Sequence, residues 1–574
     1  MTNSQIAQTI LQIAEILDLL GEDRFRVIAY ERAASTVRML GEDLSGIYKH
    51  GGIKELEDIE GVGESIALKI EELLKTGKLK YLEDLKKKVP ASEITFLQIP
   101  GVGPKTAVKL VKELKVKTIE QLGKKLQSKQ AAKYFQEKTR QNILRGIEIL
   151  KRMGTRKLLT FAMPIAQDIV LALKKRPEVL QADAVGSLRR WKETVGDIDI
   201  IAASKTPAKT IDFFVSQPNI LQVLAKGDTK ATIIHQENIQ IDLEILPKEQ
   251  YGSLLQHFTG SKEHNIALRT WAEKHGFSLS EHGIKILQKG REKLVLCPQE
   301  TDVYQTLGMD YIAPELREDS GEIQAALEHK LPKLVEMADI KGDMHMHSSW
   351  SDGFATIEQL VEKSIQLDYR YIAIADHSIG LGVARGLGPE RFFQRQEEIE
   401  AVGKKYHQIK ILSSAEVNIK ADATLDLPDS VLEKLEIVTA SIHSSFFQPQ
   451  SQLTKRLVAA CRNPHVDIIG HPSGRILGQR EPYQVDWDEI FRQAAATQTA
   501  LEISSFPNRL DLKDSLCRQA KNFGVKFAIN TDSHQIEHLN LMHFGVSVAR
   551  RGWLEKKDII NSSNYSDLEK WLSR

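Results

Sequence analysis

The stretch Gly186-Ser187-Leu188-Arg189-Arg190-Trp191-Lys192-Glu193-Thr194-Val195-Gly196-Asp197-Ile198-Asp199-Ile200 sets the chemistry of this chain. Val195 to Ala202 is apolar except at Asp197 and Asp199, which predicts a strand. Residues i and i+2 of a strand share a face, so both carboxylates point the same way. Only a cation makes that tolerable. A third acid, Asp242, lies in a second strand-like run, Ile239-Gln240-Ile241-Asp242-Leu243. Three carboxylates on neighbouring strands can hold two Mg²⁺ ions, which stabilise the attacking and leaving oxygens of a phosphoryl transfer. Upstream, Gly186 and Ser187 can offer N–H groups and a hydroxyl to phosphate, and Arg190 adds charge. Alone, D-x-D also fits a solvated strand end or a Ca²⁺-binding turn. The preceding G-S-x-R-R and the later strand aspartate favour catalysis.

This combination resembles the nucleotidyltransferase palm of family X DNA polymerases, the relatives of DNA polymerase beta. The resemblance implies that Asp197, Asp199 and Asp242 hold Mg²⁺ or Mn²⁺. It also places Gly186, Ser187, Arg190 and Gly196 at the incoming dNTP, with Ser187 and Arg190 on its β- and γ-phosphates. The run His257-Phe258-Thr259-Gly260-Ser261, followed by Asn265 and Arg269, resembles the family's thumb. On that likeness Phe258 and Gly260 sit by the sugar, and Asn265 and Arg269 face the minor-groove side. His257-Phe258 replaces a Tyr-Phe pair of the vertebrate relative, and Lys262 replaces an Asp, which leaves sugar discrimination open. The resemblance covers roughly residues 1–318.

At 574 residues the chain is too long for one core. Its formal charge is only +1, so a nucleic-acid surface must be local. Residues 101–160 carry sixteen Lys/Arg against four Asp/Glu, which fits such a surface or a solvated helical face. Cys297, Cys461 and Cys517 form no C-x-x-C pair, arguing against a disulfide framework and for a reducing cytosol. No basic leader with a cleavage site and no membrane-spanning apolar run is legible, so a cytosolic location is expected, without a membrane partner, and the family resemblance makes that the bacterial cytosol or nucleoid.

Apolar residues at 6, 10, 13, 16/17 and 20 predict a helix over residues 4–20, with Ser4 as cap and Gly21 as stop; residues 25–40 look helical too. Two matched turns follow, Ile59-Glu60-Gly61-Val62-Gly63 and Ile99-Pro100-Gly101-Val102-Gly103, the second leading into Pro104-Lys105. Each opens a helix, and its glycines let the turn approach a phosphate closely. Such contacts grip a backbone without reading sequence. The pair resembles helix-hairpin-helix DNA-binding motifs, one for each side of a gap. Lys69 matches the position of the family's Schiff-base nucleophile for a 5′-deoxyribose phosphate. Two supporting lysines of the pattern are replaced by Ser65 and Arg26, so Lys69 reads equally as a helix-surface lysine.

Beyond residue 338, apolar runs recur, each ending in a ligand-type residue: His345/His347, His377, Glu416, His443, His471, Glu502 and Asp532/His534. The spacing of about 30 residues is that of a βαβ unit. Continuous apolar runs suit parallel strands buried on both faces, and seven or so such units close a barrel with its site at the strand C-termini. The six histidines with Asp352, Glu416 and Asp532 form a nitrogen- and oxygen-only ligand set suited to Mn²⁺, Zn²⁺ or Fe²⁺. GDMHMHSSWSDG, IADHS, HP and NTDSH resemble the PHP (polymerase and histidinol phosphatase) domain, a trinuclear metallophosphoesterase. Glu502 is not a usual ligand of that family and is read as supporting.

The expected fold is multidomain: N-terminal helical helix-hairpin-helix domains, an α+β nucleotidyltransferase palm and thumb, and a C-terminal α/β (βα)7-type PHP barrel. The expected segments are a helical DNA-binding domain over 1–88, a second helical DNA-binding subdomain over 89–150, the palm over 151–250 and the thumb over 251–318. A linker over 319–338 then leads to the metallophosphoesterase domain over 339–574. The expected activity is gap-filling DNA synthesis in base excision repair, with 3′→5′ exonuclease and abasic-site cleavage. The partners would be dNTPs and gapped or nicked DNA bearing a 5′-phosphate, bound by a monomer. Two rivals are a DNA-end-binding scaffold whose metal barrel is structural, and a small-molecule phosphoesterase fused to an inert palm.

Overall fold

The computed structural model describes residues 3–39, 44–59, 61–99, 101–153, 156–288, 291–380 and 384–573. Glu60 and Pro100, in the two G-V-G motifs, and Leu40, at the end of the second expected helix, lie outside them. The chain divides into two compact units, residues 1–155 with 476–481, and residues 156–475 with 482–574.

The first unit is helical. The first expected helix is Asn3–Leu19, so Ser4 lies inside it rather than at its cap, while Gly21 follows with φ +72°. Its apolar stripe, Ile6, Ile10, Ile13 and Leu17, is buried and packs with Val27, Ala33 and Val37 of Arg24–Met39. A second core gathers Phe96, Ile99, Leu110, Leu122, Phe135 and Ile143. Each G-V-G turn buries its valine and caps a helix with its second glycine: Gly63 before Glu64–Thr76, Gly103 before Pro104–Leu114. The first glycine of each turn adopts φ near +80°, where a side chain would be strained.

In the second unit, a five-stranded sheet runs in the order Val179–Ala184, Ile198–Ser204, Gln240–Leu246, Lys230–His235, Ile220–Lys226. Only the Ile198–Ser204 and Gln240–Leu246 pair is parallel. The strand expected from Val195 therefore begins at Ile198, after a separate short strand Thr194–Val195, and Asp197 stands just ahead of it. Gly227 N donates to Lys230 O at 2.8 Å and closes the hairpin between Ile220–Lys226 and Lys230–His235. Helices Leu159–Lys174 and Pro207–Val215 back the sheet through Ala162, Ala166, Ile211 and Phe214.

Helices Tyr251–Thr259 and Lys262–Lys274 precede a three-stranded antiparallel sheet spanning Phe277–Ser280, Gly283–Gln288 and Arg291–Val295. The segment 319–338, read as a linker, is not a loose tether. Its helix Glu322–Leu327 buries Ala326 in the core beneath these elements, and fully buried Glu322 meets His264 Nδ1 at 2.7 Å.

Seven parallel strands follow in chain order: Gly342–Met346, Tyr371–Ile374, Lys410–Asn418, Ile437–Ser441, Ile468–Ile469, Ala500–Ser504 and Phe527–Asn530. Met346 bridges Ser533, and His347 N donates to Ser533 O at 2.8 Å, which joins the last strand to the first. Side chains such as Ile372, Ile374 and Phe527 are fully buried, each contributing about 1.5–3 kcal/mol.

Candidate active sites

The palm carboxylates converge because of strand register. Asp199 and Asp242 are direct partners on adjacent parallel strands. Asp197, exposed one residue before the strand, brings a carboxylate oxygen within 4.8 Å of the other two. Thr232 Oγ1 donates to Asp242 Oδ1 at 2.5 Å and Gln240 Nε2 to Oδ2 at 2.8 Å, which orients that carboxylate. Burial, reinforced by Asp197 and Asp242, pushes Asp199 up to about 7 against the pull of Arg190. That repulsion is what a divalent cation would relieve, so the donor set fits one.

Gly186 explains why the turn sits where it does. Its φ is +63°, and a Cβ there would lie 2.3 Å from Asp199 Oδ2. Only glycine lets the Ser187 turn close onto the carboxylates. A cleft of about 590 Å³ is lined by Gly186, Ser187, Arg190, Gly196, Asp197, Asp199, Phe258, Gly260, Asn265 and Arg269. The structure thus gathers the sequence-expected nucleotide residues around one space. Asn265 Nδ2 donates to His257 O and Arg269 meets His257 Nδ1, both at 2.7 Å, so both are held by the residue that replaces the expected tyrosine. Arg156, Lys192 and Lys262 also line the cleft. Sequence reading passed over Arg156; it is oriented by Thr194 Oγ1 at 3.0 Å, a partner 38 positions away.

In the helical unit, Lys69 Nζ donates to Ser65 O at 2.8 Å and Ser65 Oγ at 2.9 Å, and lies 4.9 Å from the Tyr81 ring centroid. Burial, then the Arg26 charge, lowers its pKa. Ser65 and Arg26, the two departures from the expected lysines, are thus its immediate neighbours. Lys105 is exposed at the start of its helix.

At the barrel mouth, three ligand groups assemble: His347 with Asp352, His377 and His534; His345 with His347 and Asp532; and His377 with Glu416 and His443. Glu416 is fully buried at their centre. Its Oε2 is 2.8 Å from His377 Nδ1 and 3.5 Å from His345 Nε2, and its Oε1 is 3.2 Å from His443 Nε2 and 3.0 Å from His471 Nε2. Both Glu416 oxygens, His345 Nε2 and both His347 nitrogens are buried without a hydrogen-bond partner. Orphaned polar atoms in such number fit a set of cations. His471 at φ +27° and Asp532 at φ +52° hold left-handed backbones at the ends of their strands, a strain typical of functional sites.

Glu502 is not aimed at the cluster. Its Oε1 takes His345 Nδ1 at 2.7 Å and its Oε2 accepts His471 N at 2.7 Å, so it turns His345 Nε2 inward. Asn418, absent from the sequence reading, does the same for His443 Nδ1 at 2.5 Å. Burial and the neighbouring His534 and His377 depress His347 to about 4, keeping it neutral. Burial opposes the charge of His534, but Asp352 more than offsets it and raises that imidazole to about 9, a proton that a cation must displace.

Family models match a helix-hairpin-helix domain over residues 1–79, a SAM-like helix-hairpin-helix tandem over 53–117 and 92–146, a DNA polymerase beta thumb over 254–318 and a PHP domain over 343–505. The chain is 38% identical over 578 residues, covering both chains fully, to the DNA polymerase/3′-5′ exonuclease PolX of Bacillus subtilis (strain 168). It is 25% identical over 344 residues to DNA polymerase lambda of Rattus norvegicus, 54% of this chain and 56% of that one. It is 28% identical over 231 residues to a probable phosphatase of Thermoanaerobacter sp. (strain X514), 38% of this chain and 89% of that one. Full-length similarity, the thumb and the PHP barrel together mean that the chain belongs to the bacterial family X DNA polymerases with a C-terminal PHP domain.

Proposed function

We propose that the chain is a DNA polymerase that fills short gaps during repair and trims 3′ ends with its PHP barrel. The observation that carries this reading is the pair of separate clusters, a three-carboxylate one against a nucleotide-sized cleft and a histidine-rich one at a barrel mouth. When bound, divalent ions supply Lewis-acid polarisation of phosphate and lower the pKa of water to about 7. The chain's own residues do the rest. Ser187 and Arg190 hold the β- and γ-phosphates, Phe258 and Gly260 face the sugar, and Asn265 and Arg269 face the minor groove. Thr232 and Gln240 orient Asp242. Asp197, Asp199 and Asp242 take Mg²⁺ or Mn²⁺. The barrel takes up to three ions of Mn²⁺, Zn²⁺ or Fe²⁺ on His345, His347, Asp352, His377, Glu416, His443, His471, Asp532 and His534, and also cuts at abasic sites. The exposed Gly61, Gly63, Gly101, Gly103 and Lys105 grip the DNA backbone. The protein works as a monomer in the bacterial cytosol, at the nucleoid; among the described residues, no helix is long and apolar enough to cross a membrane.

The test is the purified chain on a gapped, end-labelled duplex with Mg²⁺ or Mn²⁺, with and without nucleotides. Extension with nucleotides and shortening without them are expected. Neither outcome returns the scaffold. Hydrolysis of small phosphomonoesters without shortening of DNA favours the phosphatase reading, to which the barrel's likeness to the Thermoanaerobacter protein lends weight. Affinity should favour a gap with a 5′-phosphate and fall steeply with salt. Lys69, half-buried with a lowered pKa, is the nucleophile for a 5′-deoxyribose phosphate. Borohydride trapping lost in Lys69→Ala supports that role; trapping retained there assigns it elsewhere.

A further inference from the structure

The turn carrying Ser187 and Arg190 is gripped from outside the palm at four consecutive residues. Arg190 Nη1 donates to Thr259 O, and its Nε meets Glu318 Oε1 at 3.0 Å. Trp191, at φ +54°, meets His543 and Phe544 of the barrel edge-on, with ring centroids 5.8 and 5.9 Å away. Lys192 Nζ lies 3.3 Å from Glu318 Oε2. Glu193 pairs with Arg475 of the barrel at 2.8 Å.

The centre of this grip is Arg551, at the end of barrel helix Met542–Arg551 and 9% exposed. Its Nη1 donates to Arg190 O at 2.7 Å and lies 3.2 Å from Glu318 Oε1; its Nε and Nη2 take Asp514 Oδ2 at 2.8 and 2.7 Å. One carboxylate, Glu318, is thus shared by Arg190, Lys192 and Arg551. Arg190 faces the cleft and needs positive charge left over for a phosphate. A carboxylate satisfied by three cations neutralises each of them less than one paired with Arg190 and Lys192 alone.

We propose that Arg551, a residue of the C-terminal barrel, is a positioning residue for nucleotidyl transfer in the palm: it fixes the Arg190 backbone and occupies Glu318 so that the Arg190 guanidinium stays available to the incoming nucleotide. The barrel is then a working part of the polymerase site as well as a second one. This rests on the reading of Arg190 as a phosphate-holding group. Without Arg551, only Arg190 and Lys192 are left to balance the Glu318 charge, and the turn, held at a left-handed Trp191, loosens.

The experiment is single-nucleotide gap filling by full-length protein. Arg551→Met is expected to raise the KM for dNTP about tenfold with kcat within about twofold. Arg551→Met combined with Glu318→Gln is expected to recover most of that loss, because the competing carboxylate is gone. A purely structural role would lower the melting temperature and leave KM alone, and that result overturns the proposal. A double variant as weak as the single one overturns it too. If Arg551→Met does not fold, Arg551→Lys, which keeps the charge but loses the carbonyl bond, should raise KM about threefold; an unchanged KM overturns the proposal. Arg190→Met separates the two levels. If it leaves KM unchanged, the phosphate-holding reading of Arg190 fails; if it raises KM while folded Arg551→Met does not, only the positioning role fails.

Discussion

Asp199 and Asp242 face each other in register across the parallel strand pair of the palm sheet. They are 43 positions apart in sequence, yet that pairing fixes their separation more tightly than any loop could. A single-residue slip would send one carboxylate to the opposite face.

Asp242→Ala should abolish nucleotide addition while leaving end-trimming intact. A three-carboxylate site that loses one ligand cannot hold two ions. Single-turnover extension on a one-nucleotide gap should fall by about a thousandfold, roughly 4 kcal/mol of transition-state stabilisation. Incorporation at the wild-type rate would remove Asp242 from the site.

His345→Ala together with His347→Ala should end DNA degradation, lower the metal content of the purified protein and spare polymerisation. Both side chains are fully buried in the ligand cluster. Elemental analysis alongside an exonuclease assay checks this. Degradation that survives a reduced metal content would make the barrel structural.

Asp199 sets a pH dependence for the palm. Its carboxyl is raised from 3.8 to about 7, so the protonated form is favoured in the fold. Without ions, this group makes the fold lose stability as pH rises from about 4 through about 7. A divalent ion needs the ionised form, so Mg²⁺ and the proton compete. The rise in melting temperature produced by Mg²⁺ should be full near pH 8 and shrink as pH falls below about 7. Asp199→Asn should remove that dependence, and a Mg²⁺ effect independent of pH would refute the competition.

Glu300 anchors the thumb side of the nucleotide turn. Arg189 clamps it with two bonds of 2.8 Å, and fully buried Arg317 meets it at 2.5 Å. Burial alone would raise its carboxyl, but Arg317 and Arg189 more than offset this and bring it from 4.5 to about 2. A depressed value means stability present above 4.5 and lost as pH falls toward 2, on the order of 3 kcal/mol. Glu300→Gln leaves Arg317 buried and unpaired and should cost about 3–5 kcal/mol near neutral pH. Urea unfolding of the variant measures it, and an unchanged midpoint would show that the pair contributes nothing net.

The sequence by itself determined whatever depends on neighbours a few positions apart. The alternation around Asp199, the apolar runs before His377 and His471, the 3.6-residue stripe of Asn3–Leu19 and the paired G-V-G turns are short-range patterns, and each folds as its spacing implies. The clustered histidines and carboxylates of the barrel mouth were legible for the same reason, since strand ends carry them at regular intervals. Boundaries were less so: Asp197 precedes its strand, and residues 319–338 pack into the thumb core instead of tethering. What tertiary structure alone decided is which side chains orient the ligands and what holds the nucleotide turn. Glu502 reaches His345 across 157 positions, and Arg551 reaches the Arg190 carbonyl across 361. No periodicity encodes such pairs. A hydrogen bond needs two atoms within about 3 Å at a narrow angle, and over that much chain only the packed core brings them together.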